Sequence, residues 1–226
     1  MEKTTILQIS TTYENLGELT EKTENIWLVC HGYGQLAKYF IRRFDILDLE
    51  KNYVIAPQGL SKFYIDGNYG KVGASWLTKE NREMDLQNAL TYLRFIYENE
   101  VAELLQTPLQ IALQNNKNNS NKLKINLLGF SQGAAMISRW AVACQIPFDK
   151  LVIWGGRFPD EIQKEQLNFV KPSAEIILVI GDKDEFYQQT YIDEETTKLT
   201  KLIKTPQLII FDGTHEVRRD VLQQLI

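Results

Sequence analysis

The sequence predicts an α/β protein with a mostly parallel central sheet and helices on both faces. Strand-like and helix-like segments alternate from end to end, which is the pattern of that layer architecture. Several strand-like segments are short continuous apolar runs, as in Ile26–Cys30, and strands covered on both faces read this way. The chain has 226 residues, 44% hydrophobic and 24% charged, which suits one hydrophobic core, so residues 1–226 are expected to form one domain.

The elements follow in chain order. Thr5–Ser10 alternates apolar and polar side chains and is expected to be an edge strand. Ile26–Cys30 is a buried strand ending in a tight-loop signal, His31-Gly32-Tyr33-Gly34. Helical spacing covers about Leu36–Leu47, and Tyr53–Ala56 is the next strand, closed by Pro57. Gln58–Ser75 is rich in glycine and aromatic residues and follows neither period, so a long irregular loop is expected; such loops are often functional. From Glu80 to about Asn115 the pattern is helical, with a break near Thr107-Pro108. The Asn-rich segment Asn115–Lys122 reads as a solvated connection. Lys124–Leu128 is a strand, and Gly129–Gly133 turns it into a helix over Ala134–Cys144. Lys150–Trp154 and Glu175–Ile180 are further buried strands, Tyr191–Ile203 a helix, Leu208–Phe211 the last strand and Glu216–Ile226 the last helix.

Composition narrows the function classes. Lys plus Arg number 25 and Asp plus Glu 29, a formal charge of −4, so the basic excess of a nucleic-acid binder is missing and no such partner is expected. Cys30 and Cys144 are too few for a disulfide framework, and both lie in apolar stretches as expected of buried small hydrophobes. No Cys/His cluster has metal-ligand spacing, so no metal is expected. No apolar leader follows a charged start and no run of about 18 apolar residues occurs. Neither a secretory leader nor a membrane span is therefore expected, and a cytoplasmic location is the simplest reading. Nothing specifies an oligomeric state.

Gly129-Phe130-Ser131-Gln132-Gly133 matches G-x-S-x-G. Five residues alone also fit an ordinary glycine-flanked turn. Here a strand-like segment precedes the motif and a helix-like one follows, which is the context a nucleophilic serine on a tight turn requires. The flanking glycines let strand and helix pack closely, and the helix start aims its positive end at the serine.

A serine hydroxyl needs a general base. The chain holds two histidines, His31 and His215. His215 follows the last strand, in a loop at the sheet's C-terminal end where sites of open α/β sheets form. The chain order Ser, acid, His also selects His215, because His31 precedes the serine. An acid is expected between them. Gly181-Asp182-Lys183-Asp184 follows an apolar strand and offers Asp182 and Asp184, either of which could orient the imidazole. The loop after Ile26–Cys30 suits an oxyanion hole, with amides from Tyr33 and from Gln132, the residue after the nucleophile. His31 then braces this loop at the edge of the substrate pocket. Phe63, Tyr64, Trp154 and Phe186 are candidate walls of an apolar pocket.

Together these residues resemble the phospholipase/carboxylesterase family of the α/β-hydrolase superfamily, which includes acyl-protein thioesterases and small bacterial carboxylesterases. The resemblance runs from His31-Gly32 through Gly129–Gly133 and Gly181-Asp182-Lys183-Asp184 to Gly213-Thr214-His215. It implies an α/β-hydrolase fold. It also implies that the acid is the last residue of Gly-x-x-Asp, Asp184, and that Ser75-Trp76-Leu77 brings Trp76 to the acyl pocket. The chain departs from the family pattern at Ile180, where a His is usual, and at Glu185-Phe186-Tyr187, where Val-Pro usually follows the Asp.

The expected function is hydrolysis of a small carboxylic ester or thioester through a Ser131–His215–Asp184 triad and an acyl-enzyme, with no cofactor. A non-catalytic binding protein on the same scaffold, or an amidase using the same triad, are the alternatives.

Overall fold

The computed structural model describes residues 3–102, 123–186 and 189–226. Seven strands form one sheet: β1 (Tyr13–Leu16), β2 (Asn25–Cys30), β3 (Asn52–Pro57), β6 (Lys124–Phe130), β7 (Lys150–Trp154), β8 (Glu175–Gly181) and β9 (Gln207–Phe211). Their order is β1-β3-β2-β6-β7-β8-β9. Every neighbouring pair is parallel except β1 and β3, which run antiparallel. The mostly parallel sheet of an α/β-hydrolase fold is thus present.

Each central strand buries both faces. In β2, Ile26, Leu28 and Cys30 join one apolar cluster while Trp27 and Val29 join the other. The first cluster packs beneath α2 (Arg82–Tyr97) and α3 (Gln132–Cys144), through Leu93, Ile96, Ile137 and Trp140. The second packs beneath α1 (Ala37–Phe40) and α5 (Arg219–Leu222), through Phe40 and Leu222. Each such large side chain, fully buried, contributes roughly 1.5–3 kcal/mol. A further helix, α4, spans Gln189–Leu202.

The strand order creates the position for a site. After β2 the chain turns outward to β3; after β6 it proceeds the other way, to β7, β8 and β9. The loops leaving β2 and β6 therefore diverge above adjacent strands. That opens a crevice at their C-terminal ends, the switch point of an open sheet.

Several expectations are corrected. The edge strand is Tyr13–Leu16, paired with β3; Thr5–Ser10 is exposed and unpaired in the sheet. Gln58–Ser75 is not irregular throughout, because β4 (Ser61–Tyr64) and β5 (Val72–Ser75) form an antiparallel hairpin. The helix expected over Leu36–Leu47 is one α-turn, Ala37–Phe40, followed by a 3-10 turn over Ile41–Phe44. The last helix is likewise Arg219–Leu222 plus a 3-10 turn over Gln223–Leu225. The break near Thr107-Pro108 and the connection Asn115–Lys122 lie outside the described residues. Cys30 is buried, but Cys144 at the end of α3 is half-buried; both are free thiols, and burial pushes that of Cys144 up to about 11. No helix among the described residues is long and apolar enough to cross a membrane.

Candidate active site

Ser131 links β6 to α3 at the crevice. Its backbone adopts φ 54°, ψ −120°. An L-residue rarely occupies that region, at a cost on the order of 1–3 kcal/mol, and such strain persists only where the surroundings enforce it. Here its amide donates to the Trp154 carbonyl at 2.8 Å, and its carbonyl accepts from the Ala134 amide at 3.0 Å. The two motif glycines are required by contact. A Cβ on Gly133 would lie 2.2 Å from the Cys30 carbonyl oxygen, and one on Gly129 would lie 2.3 Å from that of Gly133. The helix thus starts against the end of β2, with its positive end at Ser131.

His215 and Asp184 come from the loops after β9 and β8. His215 Nδ1 bonds Asp184 Oδ2 at 2.7 Å. The other carboxylate oxygen accepts from the Phe186 amide at 3.0 Å, so both oxygens of this buried side chain are engaged. The ring of Phe130, adjacent to Ser131, lies 4.7 Å from the imidazole, and Phe186 lies 4.8 Å from it edge-on. Between the two loops, Gly155 and Gly156 stand at the end of β7. A Cβ on Gly155 would come 3.1 Å from His215 Cε1, and one on Gly156 would come 2.4 Å from the Ser131 carbonyl oxygen. Serine, imidazole and carboxylate loops therefore converge on one pair of small residues.

Asp182 does something else. Its Oδ1 accepts from the Gly213 amide at 3.0 Å, fastening the loop that leads to His215. Asp212 pairs with Lys183 on the surface. The carboxylate brought to the imidazole is Asp184, not Asp182.

The loop after β2 is held from beneath. His31 is fully buried. Its Nδ1 donates to the Gly32 carbonyl at 2.8 Å and its Nε2 accepts from the Gly59 amide at 3.0 Å. These partners require a neutral ring with the proton on Nδ1. Burial lowers its pKa to about 4, against the smaller opposite effect of the Gly32 carbonyl. Trp76 stacks on the His31 ring at 4.9 Å and donates its indole N–H to the His31 carbonyl at 2.8 Å. The amides of Tyr33 and Gln132 are not used in backbone pairing among the described residues.

The aromatic candidates divide. Trp76 and Trp154 are buried and do not wall an open pocket. Trp76 holds the loop after β2, while Trp154 donates its indole N–H to the Glu216 carbonyl at 2.9 Å and so supports the His215 loop. Phe63 stacks on Tyr33 at 5.0 Å, bringing the hairpin against the proposed oxyanion loop. Tyr64 is exposed and meets Tyr69. Phe186 is exposed beside His215.

Sequence reasoning missed Gln35, Gln58 and the side-chain role of Gln132. Gln35 Oε1 accepts from the Gly32 amide at 2.9 Å, and the Gln35 backbone pairs with Ala74 of β5. Gln58 Oε1 accepts from the Ala37 amide at 3.0 Å. The Gln132 side chain accepts from the Trp76 amide at 2.9 Å and donates to the Leu77 carbonyl at 2.8 Å. The only sequence signal for them is proximity to the motif loops.

The model of the family described as phospholipase/carboxylesterase matches residues 13–226. The chain belongs to the phospholipase/carboxylesterase family. The resemblance carried by its motif residues is therefore borne out. The α/β-hydrolase fold of the family recurs in solved structures over nearly full length. Acyl-protein thioesterase 2 of Zea mays matches with TM-score 0.67 and 13% identity, covering 96% of each chain. A phospholipase/carboxylesterase from Dyadobacter fermentans matches with TM-score 0.63 and 17% identity, covering 97% of this chain and 96% of that one. The carboxylesterase of Bacillus cereus matches with TM-score 0.61 and 14% identity, covering 95% and 91%. At such identities the likeness is one of fold. No curated protein matches the chain. Within the family this member carries Ile180 and Phe186 around its acid, and Phe186 is the residue whose ring meets His215.

Proposed function

We propose that the protein is a serine hydrolase of carboxylic esters or thioesters, with Ser131 as nucleophile, His215 as general base and acid, and Asp184 as the carboxylate that orients it. The observation that carries this reading is the 2.7 Å bond between His215 Nδ1 and buried Asp184, set beside a serine at φ 54°. Family membership supports a carboxylesterase-type reaction, and the fold likeness to an acyl-protein thioesterase extends it to thioesters.

The chemistry follows from the groups present. With Nδ1 committed to Asp184, Nε2 is the nitrogen that takes the proton from Ser131 Oγ as the oxygen attacks the acyl carbon. The carbonyl oxygen becomes an oxyanion, and the Tyr33 and Gln132 amides supply the donors for it. Collapse expels the alcohol or thiol, protonated by His215. Water, deprotonated by the same imidazole, attacks the acyl-enzyme and regenerates Ser131. Side chains and water account for every proton transfer, so the sequence runs with no cofactor. Binding of a second loop set at His31, Gln35 and Trp76 keeps the Tyr33 amide in place before substrate arrives, and this pre-organisation is where oxyanion holes gain their effect.

The test is turnover of p-nitrophenyl butyrate by wild-type protein and by Ser131→Ala. Hydrolysis that disappears in the variant supports the reading. Equal turnover by both overturns it.

A further inference from the structure

A cleft of about 710 Å³ opens on the His215 side of the site. Its walls are the α1 turn, the tip of the β4–β5 hairpin and the His215 loop. Three cationic residues line it, Lys38, Arg43 and Lys71, against one acid, Glu216. None of the three cations forms an ion pair among the described residues. Lys38 does rest over the exposed Tyr39 ring, 5.0 Å from its centroid. Elsewhere on this chain basic side chains commonly find a carboxylate, as Arg219 does with Asp45 and Lys198 does with Glu195. A local cationic excess on a chain of net charge −4 therefore marks this wall off from the rest of the surface.

Chemistry says which part of a substrate meets this wall. In the proposed reaction His215 gives its proton to the departing oxygen or sulfur, so that atom lies at His215. The group attached to it extends into whatever space His215 borders. Ser131 does not line this cleft, whereas His215 does.

Resting on the esterase reading above, we propose that the cleft receives the leaving group of the substrate and that this leaving group carries an anionic substituent, a carboxylate or a phosphate. Lys38, Arg43 and Lys71 bind the anion, and Tyr39 covers the intervening stem. The acyl group lies on the opposite side of His215.

Three butyrate esters of para-substituted phenols test this: one bearing a methyl ester, one a carboxylate and one a phosphate. Comparing esters on one enzyme sample cancels any loss of active protein. At low salt, kcat/KM for at least one anionic ester exceeds that of the neutral ester by about tenfold or more, since a single unit charge pair near 4 Å supplies about 1 kcal/mol even in bulk water, roughly fivefold. Raising ionic strength from about 0.01 M to about 1 M, which shortens the Debye length from about 30 Å to about 3 Å, shrinks the preference. The Arg43→Gln/Lys71→Gln variant lowers the anionic-to-neutral ratio about fivefold or more. Preference for the phosphate alone, the carboxylate alone or both identifies the anion. A ratio near or below one, or a ratio unchanged by the double substitution, overturns the proposal while leaving the esterase reading intact. Absence of Ser131-dependent hydrolysis of all three esters overturns both.

Discussion

Acid should destabilise this protein through a residue that takes no part in the chemistry. His31 is buried, neutral and bonded at both nitrogens. Its pKa is lowered from 6.5 to about 4 by burial. In the unfolded chain the same side chain titrates near 6.5. Between these values the unfolded state holds a proton that the folded state does not, so stability is full above about pH 6.5 and falls as pH drops toward about 4. The complete loss, at 1.36 kcal/mol per pH unit, is on the order of 3 kcal/mol. About 2 kcal/mol of it is lost between about pH 7 and about pH 5. At a urea m-value of about 2 kcal/mol/M this moves the unfolding midpoint by about 1 M. The assay is urea unfolding at a series of pH values for wild type and for His31→Gln. Glutamine keeps an acceptor for the Gly59 amide and cannot titrate. The variant starts less stable at neutral pH, and its stability falls less steeply toward acid, by that same 2 kcal/mol. Parallel pH profiles for the two proteins would show that His31 is not the group responsible, because every other titrating group is common to both.

Two further outcomes follow from the site. Asp184→Asn should lower kcat by about 10⁴, because an amide leaves the imidazole in the wrong tautomer. Asp182→Asn, at a side chain that accepts from the Gly213 amide and does not bond His215, should cost less than tenfold, and steady-state kinetics on one ester rank the two. Gly133→Ala would gain about 1 kcal/mol of helix propensity at an ordinary helical position. Here its Cβ meets the Cys30 carbonyl oxygen at 2.2 Å, so the thermal midpoint should fall, by several degrees for a net cost of about 1–3 kcal/mol.

Much of this architecture is legible in the sequence because burial writes itself into composition. Strands β2, β6, β7 and β8 are covered on both faces, so their apolar runs have almost no other reading. Edge and hairpin strands lack that signal. Tyr13–Leu16 contains Glu14 and Asn15 and is a strand because β3 offers it an open edge, while the better alternation at Thr5–Ser10 finds no neighbour. In β5, Val72-Gly73-Ala74-Ser75 has poor strand formers and is held by β4 and by Gln35. The helical pattern after Leu36 extends beyond the α-turn because 3-10 turns bury the same face, through Phe40, Ile41 and Phe44. At the candidate site, motif and chain order singled out Ser131, His215 and an acid in Gly181–Asp184. The residues alone left Asp182 and Asp184 open, since two carboxylates two residues apart differ only in where a turn points them; the family resemblance chose Asp184, the one bonded to His215. Trp76 and Trp154 read from the sequence as pocket walls, and their hydrogen bonds were not legible. Each touches its site loop through an indole N–H from within the core, and a sequence does not reveal which backbone carbonyl such a donor will find.

Covalent capture tests whether Ser131 is the nucleophile. Wild-type protein treated with a fluorophosphonate and digested should yield one modified peptide by mass spectrometry, with the adduct on Ser131. Modification should fall sharply in Asp184→Asn and vanish in a folded Ser131→Ala protein. An adduct on another residue, or labelling that persists in Ser131→Ala, would remove Ser131 as the nucleophile.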